Sequence, residues 1–129
     1  MSPRLLLVDD AEDVRLIAAL SLERVGDWMV VPVASGEAAL RALEQEGPFD
    51  AVLLDVMMPS MDGPATLRQL RTHGLPTAVP VVFLTAKAQS SERQRLVSLG
   101  ATGVISKPFD PLKLPDELTR LIEGNPGLP

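Results

Sequence analysis

Residues 4–10, "RLLLVDD", place four consecutive aliphatic residues directly before two adjacent aspartates. A short aliphatic run of this kind is typical of a strand buried on both faces of a parallel sheet. Two carboxylates about 4 Å apart repel by about 4 kcal/mol at an effective dielectric constant of about 20. The stretch therefore predicts a buried strand whose end needs water, a proton or a positive charge to accommodate Asp9 and Asp10.

Similar apolar runs recur along the chain and alternate with segments of helical spacing. The predicted strands are residues 5–8, 29–33, 51–54, 79–84 and 103–106, and a helical pattern follows each of them. Right-handed crossovers between such strands give an α/β fold, a single doubly wound (βα)5 sandwich around a parallel five-stranded sheet. We expect residues 1–123 to form this one domain. Residues 124–129 are expected to form a flexible tail, since their Gly and Pro residues cannot continue a helix.

Helical periodicity selects the faces that should pack on the sheet. In the first helix, the spacing predicts one buried face made of Val14, Ile17, Ala18, Ser21 and Val25. In the fourth helix, Leu96 and Leu99 are the apolar pair with the same spacing. These two faces are specific expectations about burial that a structure can test.

Other local signals mark the ends of helices and strands. Asp62 is a predicted N-cap of the third helix. The last helix should begin at Leu114 or Pro115, because proline is tolerated only in a first helical turn. His73 falls at the end of the third helix, as a partner of the helix dipole or as a solvent-exposed residue. Trp28 starts the second strand, at the end of the sheet opposite the strand ends that carry acidic residues.

Composition narrows the functional class. The chain has 129 residues, 46% of them hydrophobic and 22% charged, which favours one folded domain. A net charge of −5 argues against nucleic-acid or anionic-membrane partners. The chain has no cysteine and no apolar run long enough for a membrane span or a secretion signal. The simplest expectation is a cytoplasmic location, with no nucleic acid and no membrane as a partner.

Chemically complementary side chains stand at four of the five strand ends. Strand 1 ends in Asp9 and Asp10, strand 3 in Asp55, strand 4 in Thr85 and strand 5 in Lys107. Ligands of open parallel sheets bind beyond the carboxyl ends of the strands, so these groups converge if strands 1 and 3 are neighbours. Carboxylates suit Mg²⁺, and Mg²⁺, a lysine and a hydroxyl suit a phosphoryl group. Asp55 would then be a carboxylate nucleophile.

Each of these residues also has a structural interpretation. Asp9 or Asp10 alone is a common helix N-cap, and Asp55 alone suits the solvated start of a loop. Thr85 and Lys107 taken singly are ordinary strand-end and surface residues. The joint occurrence of all five at one predicted edge favours the functional interpretation.

Four motifs, in this order and spacing, carry a family resemblance: "LLLVDD", "VLLDVMMPSMDG", "VVFLTAKA" and "GVISKPF". The chain resembles, over residues 4 to 123, the receiver domain of two-component response regulators, and within that family the chemotaxis regulators. The resemblance implies a flavodoxin-like sheet of strand order 2-1-3-4-5, an order that the apolar pattern does not fix. It also implies a protein that catalyses only its own phosphorylation and slow dephosphorylation.

By this resemblance Asp55 accepts a phosphoryl group from a phosphohistidine on a sensor histidine kinase or histidine phosphotransfer protein. Thr85 would hydrogen-bond the phosphoryl group, and Lys107 would pair with it. The Lys107–Pro108 peptide bond is expected to be cis. Together, Asp55, Thr85 and Lys107 form the predicted catalytic set.

The resemblance also implies a Mg²⁺ cofactor with a defined ligand set. Asp10 would bind the ion directly and Asp9 would assist, partly through water. Asp55 and the backbone carbonyl of Met57 would complete the protein ligands. The side chain at position 57 is then free to be apolar.

The same resemblance shapes the expected partners. Since no DNA-binding segment follows in this sequence, output is expected through an unknown partner protein, at the face of helix 4, strand 5 and helix 5, or by onward phosphotransfer. A phosphorylation-dependent homodimer is also allowed. One departure concerns switching, because Val104 stands where the family often has an aromatic residue that swings inward. Two more, Met57 and Lys87, flank the phosphoryl position, where Lys87 either contacts the phosphoryl group or is solvated.

Two competing functions remain. An aspartate-nucleophile phosphatase of the haloacid-dehalogenase type uses similar groups, but its nucleophile lies on the first strand and its acidic pair comes last. A receiver used only for binding would have lost some of the five residues. Both are disfavoured by the order and completeness of the motifs here.

Overall fold

The computed structural model of the protein describes residues 2–124. The strands are β1 (Arg4–Val8), β2 (Met29–Val33), β3 (Ala51–Asp55), β4 (Val81–Thr85) and β5 (Gly103–Ser106). The helices are α1 (Glu12–Arg24), α2 (Gly36–Glu46), α3 (Gly63–Thr72), α4 (Ser90–Ser98) and α5 (Leu114–Glu123). All strand pairs are parallel and the order is β2-β1-β3-β4-β5, which confirms the flavodoxin-like expectation. Residues 125–129 of the predicted flexible tail lie outside the described residues.

The central strands are apolar throughout because the sheet is covered on both faces. Side chains alternate between the faces, so Leu6 and Val8 join one core cluster while Leu5 and Leu7 join the other. The first cluster packs beneath α2, α3 and α4, and the second beneath α1 and α5. This two-layer cover explains why "RLLLV" carries no polar residue after Arg4.

The predicted faces of α1 and α4 are only partly correct. Ala18 and Ser21 are buried as expected, but Ile17 and Val25 are 45% and 52% exposed, and Leu22 takes the buried place. Leu99 is also exposed, at 42%. Val25 and Leu99 are the C-cap residues of α1 and α4, so both lie just past the last residue of the helix whose face they were predicted to extend.

Strand 4 begins two residues later than predicted. Residues 79 and 80 precede it, and Pro80 has no backbone N–H to contribute to the ladder. The strand extends instead through Thr85, so the hydroxyl residue belongs to the strand itself. The same extension places Asp55 inside β3.

The helix-end signals are confirmed. Asp62 caps α3 through a hydrogen bond from the Ala65 N–H to its Oδ1 at 2.9 Å. Helix α5 begins at Leu114 with its proline in the first turn. His73 is the C-cap residue of α3. Among residues 2–124, no helix has the length and hydropathy that crossing a membrane would require.

Candidate functional site

The carboxyl edge of the sheet brings the five strand-end residues together. Val8 pairs with Leu54 in the β1–β3 register, and Asp9 and Asp55 are the residues that follow them, so they lie side by side at the ends of neighbouring strands. In the β4–β5 register Thr85 pairs with Ser106, and Lys107 comes next. The neighbouring placement of β1 and β3, on which the convergence depended, is therefore present.

Three carboxylates form one cluster at this edge. Asp9, Asp10 and Asp55 each offer an oxygen, and these oxygens lie within 4.8 Å of one another. Asp9 and Asp55 are buried, with 0% and 4% of their surface exposed, whereas Asp10 is exposed. The cluster is thus closed on the protein side and open to solvent at Asp10.

Lys107 is the cation that faces the two buried carboxylates. Its Nζ lies 2.9 Å from Asp9 Oδ2 and 3.1 Å from Asp55 Oδ1. Burial opposes the charge of Lys107, but the contacts with Asp9 and Asp55 outweigh it and the pKa of Lys107 is raised. One ammonium beside a cluster of three carboxylates leaves an excess of negative charge. The Lys107–Pro108 bond is cis, as the resemblance implied.

The pKa of Asp55 is shifted first by burial and then by the neighbouring negative charge. Burial and the neighbouring charge of Asp9 raise the pKa of Asp55 from 3.8 to about 6, against the hydrogen bond and charge of Lys107. The carboxylate is therefore still mostly ionised at pH 7, but its ionised form is held at a cost. A buried carboxylate with a raised pKa and a specific cation partner is typical of a functional site.

Asp9 has a fixed position and one poorly satisfied oxygen. Its Oδ1 accepts a hydrogen bond from the Ala11 N–H at 2.9 Å, and its N–H donates to Val33 O at 3.1 Å. Its Oδ2 is buried and lacks a hydrogen bond of good geometry among residues 2–124, although Lys107 is close. The N-cap residue of α1 is Ala11, with no side-chain cap, so neither Asp9 nor Asp10 has the simple capping role considered above.

The donor chemistry of the cluster fits a small, hard divalent cation. Carboxylate oxygens are the ligands that Mg²⁺ prefers, and it keeps waters that an open side can supply. The buried Asp9 Oδ2 and the exposed Asp10 provide a fixed and an accessible oxygen respectively. An acidic triad of this kind is typical of a magnesium site.

Thr85 and the loop after it line the other side of the site. Thr85 is buried and its Oγ1 accepts a hydrogen bond from the Lys87 N–H at 3.0 Å. The Lys87 side chain is exposed. A hydrogen bond from Arg95 lowers the pKa of Glu92, and the charge of Lys87 adds to that effect. The charge of Lys87 therefore acts on the Glu92 carboxylate in α4.

Met57 and Gly63 shape the loop that follows β3. The Met57 side chain is 69% exposed, and its N–H lies 3.4 Å from Asp55 Oδ1. A Cβ on Gly63 would come within 2.5 Å of Asp55 O, so only glycine lets α3 begin this close to the end of β3. The pair Asp62–Gly63 in the sequence marked the helix start, but gave no sign of this contact.

Two arginines near the site carry no signal in the sequence pattern. Arg15 Nη1 donates to Asp9 O at 2.8 Å, from the first turns of α1. Arg93 reaches from α4 to two backbone carbonyls, Ala88 O and Val104 O. Their partners are main-chain oxygens, which leave no mark in a side-chain pattern.

The fold and the site together define a receiver domain. The model of the response regulator receiver domain family matches residues 5–119, and the chain belongs to this family. Receiver domains are not conventional enzymes, so the match contradicts the phosphatase alternative.

The chain is also similar in sequence to individual curated proteins of this family. The chain is 38% identical over 111 residues to the alkaline phosphatase synthesis transcriptional regulatory protein PhoP of Bacillus subtilis (strain 168), covering 86% of this chain and 45% of PhoP. The chain thus spans about half or less of the length of such curated relatives.

Solved structures are similar along nearly their full length. The chemotaxis protein CheY4 of Vibrio cholerae has a TM-score of 0.85 at 30% identity, covering 94% of this chain and 99% of that chain. The receiver domain of the sensor histidine kinase PA1611 from Pseudomonas aeruginosa PAO1 has a TM-score of 0.80 at 30% identity, with 95% and 99% covered. That domain holds a magnesium ion coordinated in its active-site cleft.

Proposed function

We propose that this chain is a phosphorylation-activated receiver that accepts a phosphoryl group on Asp55 from a phosphohistidine. The observation that carries the proposal is the placement of the Asp55 carboxylate, which lies within 4.8 Å of Asp9 and Asp10 oxygens and 3.1 Å from Lys107 Nζ. A nucleophilic carboxylate, a cation and a cation-binding acidic pair are what transfer to an aspartate requires.

The transfer itself balances simply. An Asp55 oxygen forms a bond to phosphorus while the bond from phosphorus to the donor imidazole nitrogen breaks, and that nitrogen leaves with the bonding electron pair. Lys107 would follow the negative charge from the carboxylate to the phosphoryl oxygens. The Thr85 side chain would rotate about χ1 so that its O–H donates to a phosphoryl oxygen, which moves Oγ1 away from the Lys87 N–H. Positioning and charge, rather than acid–base steps, carry most of such a reaction.

Asp9, Asp10, Asp55 and the Met57 carbonyl are the groups we assign to a Mg²⁺ ion. When bound, Mg²⁺ supplies the positive charge that lets an anionic phosphoryl group approach an anionic carboxylate. Asp10, as the exposed member, would take the ion from solvent, while Asp9 is held by Ala11 and Lys107. Neutralising the charge of Asp9 would also remove one of the causes that raise the pKa of Asp55, whereas the larger cause, burial, would remain.

The phosphodonor we propose is a sensor histidine kinase or a histidine phosphotransfer protein, the partners that receiver domains use. An apolar groove of about 350 Å³ next to Lys107 suits a donor helix, and Val14, Ile17, Phe109 and Pro111 contribute to its lining. We propose that this transfer takes place in the cytoplasm.

Phosphorylation is proposed to change the α4–β5–α5 face, to which an output partner or a second copy of the phosphorylated chain would bind. We assign this phosphorylation-dependent function to one receiver domain, residues 1–123. Dephosphorylation is proposed to be slow, because the exposed thioether of Met57 offers no hydrogen bond that would orient an attacking water.

The test is incubation with Mg²⁺ and a small phosphodonor, comparing the unmodified protein with Asp55→Asn by intact-mass spectrometry. The unmodified protein should gain one phosphoryl group that is stable in acid and labile in base, and Asp55→Asn should gain none. A chain that binds Mg²⁺ but gains no phosphoryl group would instead be a receiver used only for binding. Continuous turnover of phosphate esters would support an enzyme and contradict the proposal.

A further inference from the structure

One guanidinium ties three segments together on the α4 side of the sheet. Arg93 lies in α4, and its Nε donates to Ala88 O at 2.8 Å in the loop between β4 and α4. Its Nη1 donates to Val104 O at 3.2 Å in β5. Arg93 therefore fastens the loop that follows Thr85 to the neighbouring strand.

The same loop is also attached to the site. The Lys87 N–H donates to Thr85 Oγ1, so the Thr85 hydroxyl and Arg93 hold adjacent positions of the loop. The two hydrogen bonds involve consecutive residues, Lys87 and Ala88. A rotation of the Thr85 hydroxyl away from Lys87 would thus be felt at the Arg93 contact.

At position 104, strand β5 offers no mobile side chain that could carry this signal. Val104 is 3% exposed, packs in the core cluster beneath α4, and is β-branched, so its χ1 angle has little freedom. What β5 presents to the loop is the Val104 carbonyl, through Arg93. The connection between the site and the α4–β5 face is therefore a backbone-to-guanidinium contact.

We propose that Arg93 is a positioning residue that holds the Thr85 loop in its resting place, and that its contact with Ala88 is released when Asp55 is phosphorylated. The inference rests on the proposed function. When the Thr85 side chain rotates about χ1 to donate its O–H to a phosphoryl oxygen, Oγ1 moves away from the Lys87 N–H and the loop shifts. Ala88 O then leaves Arg93, and the link between α4 and β5 is loosened. The contacts broken in this way oppose phosphoryl binding, so their removal favours it.

Arg95 provides a matched control in the same helix. Its Nε and Nη2 donate to Glu92 Oε1 and Oε2 at 2.8 and 3.1 Å, so its ion pair stays within α4. Arg95→Met removes the same charge and the same guanidinium as Arg93→Met without touching the loop or β5. Arg93→Lys keeps the charge but has one nitrogen, which cannot reproduce both contacts.

The experiment measures the affinity for beryllofluoride, a phosphoryl mimic, in the presence of Mg²⁺ by titration calorimetry. Arg93→Met should bind it about three- to tenfold more tightly than the unmodified protein, since each lost hydrogen bond contributes modestly. Arg93→Lys should fall between the two, and Arg95→Met should stay within about twofold of the unmodified protein. Unchanged or weaker binding by Arg93→Met, or an equal effect of Arg95→Met, would overturn the proposal.

A second measurement does not depend on phosphorylation. In the protein without beryllofluoride, Arg93→Met should speed amide hydrogen exchange at Lys87 relative to Arg95→Met, and exchange in β3 should stay the same. Equal exchange at Lys87 in both variants would overturn the positioning role even if phosphorylation of Asp55 is established. If the unmodified protein fails to bind beryllofluoride with Mg²⁺, the proposed function fails, and with it the release step.

Discussion

The two ends of the parallel sheet treat charge in opposite ways. At the amino end, Arg4 donates to Pro48 O and Glu46 O, and its guanidinium lies 5.5 Å from the centre of the Phe49 ring. At the carboxyl end, Asp9 Oδ2 is buried without a good hydrogen bond and the pKa of Asp55 is raised to about 6. The amino end uses charge to hold the fold together, whereas the carboxyl end keeps charge at a cost. A local arrangement that destabilises the fold in this way is typical of a functional site.

The largest expected effect is a gain of stability from removing the acceptor carboxylate. The ionised form of Asp55 is disfavoured in the fold, since its pKa rises from 3.8 to about 6. Asp55→Asn should therefore stabilise the metal-free protein by about 3 kcal/mol at pH 7. Asp55 binds its proton more tightly in the folded than in the unfolded protein, so the unmodified protein gains stability as the pH falls from about 7 to about 4. The difference in stability between Asp55→Asn and the unmodified protein therefore shrinks over the same range.

Urea unfolding with a chelator at pH 7 and pH 5 measures this difference. Saturating Mg²⁺ should reduce it at pH 7, because the ion stabilises the ionised carboxylate. If Asp55→Asn is no more stable than the unmodified protein at pH 7, or if its stability advantage grows toward pH 5, then the ionised Asp55 carboxylate does not destabilise the fold. The contrast between the two ends would then disappear.

The sequence predicts which residues lie at the carboxyl end of the sheet, because each of them is marked by its position next to a strand. Asp9, Asp55, Thr85 and Lys107 each stand at or directly after a strand end, so a correct strand assignment is enough to place them on one edge. The strand order came from the family resemblance, because all five strands are similarly apolar. The Asp55 pKa depends on burial and on Asp9, which no pattern along the chain measures.

What the sequence does not predict also has a physical reason. Helix α1 is apolar on several sides, with Leu16 and Leu20 exposed at 59% and 43%, so periodicity cannot choose its buried face. The contacts of Arg15 and Arg93 end on backbone carbonyls, which every residue has. Such contacts become visible only when the fold has brought the segments together.

The next effect concerns the metal-binding half of the contrast. Asp10→Ala should weaken Mg²⁺ binding by about 100-fold or more, because it removes the exposed oxygen of the triad. It should also leave the metal-free protein as stable as before or more stable by up to about 1 kcal/mol, since a repulsive charge is removed. Titration calorimetry and urea unfolding give the two quantities.

Asp13→Ala is the matched control, an exposed acid in the first turn of α1 that lies outside the triad. Its Mg²⁺ affinity should stay within about twofold of the unmodified protein. A sharp loss of stability in metal-free Asp10→Ala would mean that Asp10 supports the start of α1. In that case the capping interpretation of the acidic pair would have to be restored.

A smaller effect of opposite sign is expected at the amino end. Arg4→Met should destabilise the protein by about 1–2 kcal/mol, because it loses side-chain hydrogen bonds to two backbone carbonyls and the contact with Phe49. Mg²⁺ affinity should not change. Arg41→Met, on an exposed position of α2, is the control for loss of an arginine charge. Changed Mg²⁺ affinity in Arg4→Met would show that the two ends of the sheet are coupled.

The smallest expected effect is the absence of a fluorescence response from Trp28, the single tryptophan of the chain. Trp28 directly precedes Met29, which pairs with Arg4 at the start of β1. Arg4 lies five residues before Asp9, so about 17 Å of strand separates Trp28 from the acidic cluster. It is partly buried against the core cluster beneath α1 and α5. Its emission should therefore stay constant as Mg²⁺ is added, at concentrations at which calorimetry shows saturation. A strong quench that persists in Asp10→Ala would report an unrelated ion at the amino end, whereas a quench abolished by Asp10→Ala would mean that binding at the carboxyl end is transmitted along the whole sheet.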